Sequence, residues 1–261
     1  MGRTSPPFTS PSPWLRRAAG LCAGVLVLTA CTRGLDLIER PGVAVITTNG
    51  PWASMAYLAR TDSGVIAIDL GWTGAEEKIV EALRELGATP RDVRYVFLTH
   101  AHRDHIHAWP LVRQARFVMG AAEVPYFTGE RAYQETLPRL GDQIVEPRRE
   151  GIDSLDIVPV AGDTAFVLGR DTLYAYPVPG HTPGSTAYLL RQTLFGGDAI
   201  NWRPVQGFAG ARPEFSEDVK TSRASMRALW ARLGSDRVRI VCSAHAKCAV
   251  ADSALREATT R

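Results

Sequence analysis

Six histidines occur in 261 residues, and three of them share one six-residue segment with an aspartate: His100-Ala101-His102-Arg103-Asp104-His105. The segment follows the apolar run Arg94 to Leu98, which reads as a buried strand, so the fold must deliver a strand end into a cluster of metal-binding side chains. Imidazole nitrogen and carboxylate oxygen suit zinc and other borderline divalent ions, and no thiolate in the segment biases it toward a structural zinc knot. Two histidines four apart on one helix face would need a different spacing. An extended stretch points His100 and His102 to the same side, because side chains alternate along a strand. A turn leading into a helix near Asp104 then sends Asp104 and His105 toward a neighbouring position. One short segment can serve two metals.

The rest of the chain switches repeatedly between strand and helix periodicity, which argues for a mixed α and β domain. Val43 to Thr48, Ser54 to Arg60 and Gly64 to Asp69 read as an antiparallel meander with turns at Asn49-Gly50-Pro51 and Thr61-Asp62-Ser63. A helix is expected from Thr73, with Thr73 and Glu76 as a capping box, an inner face of Ala75, Ile79, Ala82, Leu83 and Leu86, and Gly87 as its end. Thr172 to Val178, Ser185 to Leu190 and Thr193 to Gly197 read as a second set of strands. A long helix capped by Ser216 and closed by Gly234 should turn Val219, Met226, Leu229, Trp230 and Leu233 inward, and Val238 to Val241 leads to His245. No Pro/Gly-rich linker divides residues 31–261, which read as a single domain.

With these residues in view, the chain resembles the metallo-β-lactamase superfamily, whose signature is HxHxDH after a strand followed by three isolated ligands. Those ligands match His181 in Pro179-Gly180-His181-Thr182-Pro183-Gly184, Asp198 in Phe195-Gly196-Gly197-Asp198, and His245 in Cys242-Ser243-Ala244-His245. Ile68-Asp69-Leu70-Gly71 is similar to the superfamily's first motif, where Asp69 would brace the metal loop, and the likeness runs from about Val43 to about Ala249. The resemblance implies an α+β fold, a four-layer αββα sandwich of two mixed β-sheets flanked by helices. It implies that His100, His102 and His181 hold one metal, that Asp104, His105 and His245 hold another, and that Asp198 bridges them. Two Zn²⁺ ions are the expected cofactors, with iron or manganese as other fillings.

The implied reaction is hydrolysis of an ester, thioester, lactone or lactam carbonyl by a hydroxide shared between the metals, on a small-molecule substrate. Asp104 and Asp198 would be catalytic, orienting the hydroxide and shuttling a proton. Asp198, where the most common true β-lactamases of the superfamily carry cysteine, makes the chain look more like the glyoxalase II and lactonase branches. The alternative is an iron-dependent oxidoreductase similar to the persulfide dioxygenases. His107 stands where the family often has glycine and reads as a surface residue, with a partner behind a ligand as the other reading. Substrate choice should lie in Ile200 to Phe215, with Trp202 and Phe208, and at Trp52; Arg203 or Arg212 could meet a carboxylate.

Residues 1–30 read as a lipoprotein signal peptide: Pro/Ser-rich at first, then Arg16-Arg17, then an apolar run to Ala30 that is short for a membrane span. Leu28-Thr29-Ala30-Cys31 resembles a lipobox, which implies a membrane anchor through lipidated Cys31 and, with Thr32 next, the periplasmic face of the outer membrane. An ordinary secretory signal is the other reading. The formal charge of +3 comes from Arg3, Arg16 and Arg17, leaving 27 cations against 27 anions in residues 31–261. No basic stripe exists there to track a phosphate backbone, so nucleic acid is excluded as an expected partner. Cys242 and Cys248 flank His245; a disulfide that pins its loop and a pair of free thiols are both open to them. Nothing in the sequence bears on oligomeric state.

Overall fold

The computed structural model describes residues 1–2, 33–35, 42–46, 54–134, 149–203, 205–245 and 248–261. The chain forms two compact units, Met1–Cys31 and Thr32–Arg261, and every element named below belongs to the second. Cys31, Trp52, the turn at residues 49–51 and the expected signal peptide lie outside the described residues.

The central strands of this protein are buried on both sides. Met55–Thr61 (β3) buries six of its seven residues, and Thr186–Leu190 (β10) buries all five, so each must be covered on both faces. Alternation assigns the faces. Tyr57, Ala59, Ile66 and Ile68 pack between the two sheets with Phe97, Val118, Leu173, Tyr188 and Phe195. Ala56, Leu58, Val65 and Ala67 turn the other way, against Ile79 and Leu83 of a helix, Ala75–Glu85 (α1). The outer face of the second sheet, through Tyr176, Leu189 and Val241, packs on Met226, Leu229, Trp230 and Leu233 of the helix Val219–Leu233 (α4). The result is the expected four-layer helix, sheet, sheet, helix sandwich.

The first sheet has seven strands in sequence order: Arg33–Leu35 (β1), Gly42–Ile46 (β2), β3, Gly64–Ile68 (β4), Val93–Phe97 (β5), Arg116–Gly120 (β6) and Asp156–Val160 (β7). It runs antiparallel through β4 and parallel from β4 to β7. Two short helices, Arg103–Ile106 (α2) and Val124–Thr128 (α3), lie in the connections that follow β5 and β6. The second sheet has the order Cys248–Val250 (β15), Ile240–Cys242 (β14), Thr193–Phe195 (β11), β10, Asp171–Pro177 (β9) and Thr164–Leu168 (β8). Among the described residues its only parallel pair is β11 with β14. Ser253–Ala258 (α5) is the last helix, and among the described residues no helix is long and apolar enough to cross a membrane.

Several expectations are corrected. Helix α1 starts at Ala75, not Thr73, and no side chain caps it: Ala75 N–H donates to the Trp72 carbonyl across a turn, with Gly74 at φ 82. Helix α4 is capped by Asp218, whose carboxylate accepts from Thr221 N–H at 3.0 Å, rather than by Ser216. The stretch from Ile200, expected only to govern substrate choice, carries regular structure: Ile200–Arg203 (β12) and Gly207–Gly210 (β13) pair as an antiparallel hairpin. Strands β6, β7 and β8 have no counterpart in the sequence reading, and β7 carries Pro159, which is tolerated because β7 is an edge strand.

Cys242 and Cys248 form a disulfide across directly opposed positions of β14 and β15. It closes the base of the loop that holds His245. Met55 N–H and the Tyr57 hydroxyl hold the same loop by donating to the carbonyls of Ala244 and Ser243, at 2.7 and 2.6 Å. A cross-link over so short a loop should contribute about 2 kcal/mol. The double variant Cys242→Ala/Cys248→Ala should therefore unfold at lower urea concentration, by about that free energy, with an unchanged slope.

Candidate metal centre

The side chains that matter stand at the C-terminal ends of strands. Asp69 follows β4, His100 to His105 follow β5, His181 follows β9, Asp198 follows β11 and His245 follows β14. After β5 the chain bends at Thr99, is extended at His102 (φ −60°, ψ 146°) and then enters α2, which carries Asp104 and His105. The change of direction separates the first pair of ligands from the second, as the spacing predicted.

Three ring nitrogens meet at one point. His100 Nε2 lies 3.0 Å from His102 Nδ1, and His181 Nε2 lies 3.1 and 3.2 Å from those two atoms. A tetrahedral zinc with Zn–N of about 2.0–2.1 Å has ligand–ligand edges of about 3.3 Å, so the triangle fits three corners of such a site. Beside it, His105 Nε2 and His245 Nε2 each lie 3.7 Å from Asp104 Oδ2. Asp198 reaches both groups. Its Oδ2 is 2.9 Å from His245 Nε2 and 3.7 Å from His181 Nε2, while Oδ1 is 3.7 Å from His105 Nε2. His105 Nε2 and Asp198 Oδ1 are buried with no hydrogen-bond partner, an expensive state that a bound cation would relieve. The donor sets thus fit two divalent metals, one in each group, with Asp198 between them.

Hydrogen bonds behind the rings fix their tautomers. Thr99 Oγ1 donates to Asp69 Oδ2 at 2.7 Å, which leaves it to accept from His100 Nδ1–H at 3.1 Å. Ser216 Oγ donates to the Arg212 carbonyl at 2.6 Å and so accepts from His181 Nδ1–H at 3.0 Å. Asp69 Oδ2 accepts from His105 Nδ1–H at 2.9 Å. Each arrangement assigns the lone pair to Nε2, the atom aimed at its neighbours. Asp69 braces the loop as expected, also accepting from Thr99 N–H at 2.8 Å. Gly197, at φ 53, packs directly against Thr99, where a Cβ would come within 2.6 Å of the threonine, and so lets the turn that carries Asp198 lie close to the end of β5. Asn201 Nδ2 donates to the Asp198 carbonyl at 2.9 Å.

Charge states follow from this packing. Burial, reinforced by the neighbouring rings, holds His100 and His102 well below the ordinary imidazole range, and His181 is lowered to about 4 chiefly by burial. Burial also opposes a charge on His105, but Asp104, Asp69 and Asp198 outweigh it and push the ring up to about 9. For Asp198 burial acts upward, yet His245, His105 and His181 together hold its carboxyl far below the usual range. Neutral imidazoles and an ionised carboxylate are the forms that bind metal.

All seven expected ligands come together. His107 is the exception among the nearby histidines: it is buried, not on the surface, because it closes the C-terminal end of α2 with its N–H donating to the Gly71 carbonyl at 3.0 Å and its Nε2 3.8 Å from Glu76 Oε1 of α1. Arg212 is engaged by Glu214 at 2.6 Å and lies over the Phe215 ring, and Arg203 donates to Gln206 at 3.2 Å. Sequence reasoning missed Ser216 as the partner of His181, Tyr133, whose ring stands edge-on to His102 at 4.4 Å, and Glu123, fully buried behind the first three histidines.

Residues 49–241 match the family model described as the metallo-beta-lactamase superfamily; His245 lies just beyond the match. A probable polyketide biosynthesis zinc-dependent hydrolase of Bacillus velezensis is 25% identical over 173 residues, which is 64% of this chain and 64% of that protein. A hydroxyacylglutathione hydrolase of Bartonella quintana is 30% identical over 154 residues, 55% of this chain and 51% of that one. The chain thus spans less than two thirds of the length of these relatives. An archaeal metallo-beta-lactamase superfamily protein from Sulfolobus tokodaii shares the fold, with a TM-score of 0.61 at 18% identity over 85% of each chain.

Because His105 keeps its proton up to about pH 9 in the metal-free protein and must lose it to bind, metal affinity should strengthen as pH rises. Zinc competition titrations between pH 6.5 and 8.5 should show roughly tenfold tighter binding per pH unit at one site. Affinity independent of pH across that range would contradict the assignment.

Proposed function

The chain belongs to the metallo-beta-lactamase superfamily, and we propose that it is a two-metal hydrolase, zinc-loaded, that cleaves an ester, thioester, lactone or lactam. One observation carries the reading: two donor groups, His100/His102/His181 and Asp104/His105/His245, joined by a third set, His100/His105/Asp198, with Asp198 in reach of both. The hydrolase names of the two relatives described above support it. Two such ions would supply Lewis acidity toward a carbonyl oxygen and would lower the pKa of a bound water to about 7.

The chain's own groups divide the remaining work. Thr99, Ser216 and Asp69 orient rings so that Nε2 faces inward, and the buried histidines exclude water from the far side of the site. Asp198, ionised and only 8% exposed, is fixed by its neighbours and suited to orienting an attacking water through Oδ2. Asp104 is the more open carboxylate at 18%, so its Oδ2 is placed to take a proton and pass it to a leaving group. No side chain needs to act as a nucleophile. The hairpin β12–β13, which begins directly after Asp198 and carries Trp202, is the element we assign to substrate selection.

A single-iron oxidoreductase on the same fold would need two histidines and a carboxylate, leaving about four of the seven assembled donors without a role. The hydrolase reading uses them all. Against a panel of thioesters, lactones and β-lactams, the zinc-loaded protein should turn over at least one class. Asp198→Asn and His102→Ala should each lower kcat/KM by at least about 100-fold. A fully active His102→Ala variant would sink the assignment.

We also propose, from the lipobox-like Leu28-Thr29-Ala30-Cys31, that the chain is anchored to a bacterial envelope membrane through Cys31. Cys31→Ser should move it from the membrane fraction to the soluble fraction; unchanged retention would end that part of the proposal.

A further inference from the structure

Glu123 is a fully buried carboxylate that takes no part in the chemistry proposed above. It sits in the short turn after β6, and its two oxygens receive four hydrogen bonds from three separate segments. Ala101 N–H donates to Oε1 at 2.8 Å, and the Tyr133 hydroxyl donates to the same atom. Thr182 Oγ1 and Gly184 N–H donate to Oε2 at 2.8 and 2.9 Å. Burial pushes the carboxyl above its ordinary range, and these four donors offset part of that rise. Every partner is a donor, so the ionised form is the one the cage fits. Among the described residues no basic side chain pairs with it.

The placement of those donors is specific. Ala101 lies between His100 and His102, and Thr182 follows His181, so Glu123 holds a residue adjacent in sequence to each member of the first histidine group, Ala101 by its backbone N–H and Thr182 by its side-chain hydroxyl. Ser185 completes the grip: its Oγ accepts from Thr182 N–H at 2.9 Å and lies 2.8 Å from Thr182 Oγ1. Tyr133, held by the other oxygen, stands over the His102 ring. The approach is so close that a Cβ on Gly184 would lie 2.3 Å from Glu123 N, and one on Gly120 would lie 2.1 Å from the Gly184 carbonyl oxygen. A buried, unpaired negative charge is costly unless a cation lies near it.

We infer that Glu123 is the positioning residue of the first metal position: it sets the spacing of His100, His102 and His181, and its charge complements a cation held there by three neutral rings. This inference rests on the two-metal reading and extends it to a residue that touches neither metal nor substrate. Removing such a partner characteristically weakens metal binding about 10- to 100-fold.

The test is a zinc competition titration of the full chain with a chromophoric chelator, using His181→Ala and His245→Ala to identify which binding phase belongs to which position. Glu123→Gln keeps the shape but offers an amide N–H₂ to donors that need an acceptor. In this variant, the phase lost in His181→Ala should weaken about 10- to 100-fold while the other stays within about threefold. Tyr133→Phe, which removes one donor of four, should weaken the same phase less. A folded Glu123→Gln protein with wild-type affinity, or a loss confined to the phase removed by His245→Ala, overturns the inference. If Glu123→Gln does not fold, Thr182→Val carries the test: a several-fold loss in the same phase is expected, and unchanged affinity overturns the inference. A wild-type chain that binds no metal would overturn the two-metal reading itself, and Glu123's role with it.

Discussion

Asp69 stands at φ 56, a left-handed backbone that costs a non-glycine residue about 1–2 kcal/mol. Its carboxylate accepts from Thr99 N–H, Thr99 Oγ1–H and His105 Nδ1–H, and hydrogen bonds to a charged group are worth roughly 1.5–3 kcal/mol each. The strain is outweighed. Through those three contacts the end of β4 fixes the segment that leaves β5, and through Thr99 and His105 it fixes a ring in each of the two donor groups. The parallel pairing of β4 with β5 makes this possible, because it brings the two C-terminal ends side by side.

The other sheet supplies the missing members by the same logic. Strands β9, β11 and β14 point the same way, and their ends carry His181, Asp198 and His245. Face-to-face packing of apolar surfaces thus brings five strand ends together, and the polar groups collect where the strands stop. Burial suppresses protonation of His100, His102 and His181, the carboxylates of Asp104, Asp69 and Asp198 outweigh burial and keep a proton on His105, and His245, His105 and His181 together keep Asp198 ionised. Three neutral imidazoles beside an anionic carboxylate are the forms in which these groups take up a divalent cation.

Much of this was legible in the sequence because the chemistry is concentrated there. His100 to His105 announce themselves by spacing, and the alternation rule correctly splits them into two groups. Asp69 was readable as a strand-end acid. What escaped was set by tertiary distance. Glu123 lies beside His100, His102 and His181 only after β6 is laid next to β5, and no periodicity reports that. Ser216 looked like a helix cap because hydroxyl residues favour such positions, yet Asp218 two residues later had the geometry and the serine was free to hold His181. His107 looked like a surface residue because one histidine carries no burial signal; helix α1 covers it. The disulfide was left open by spacing alone and was decided by the opposed register of β14 and β15.

Two donor groups sharing Asp198 should hold two metal ions, and elemental analysis of the purified chain tests that claim most directly. Zinc, iron and manganese should be counted per chain after exhaustive dialysis against metal-free buffer. About two ions per chain, mainly zinc, are expected. A chain that retains no metal, or a single iron that additional zinc does not supplement, would contradict it.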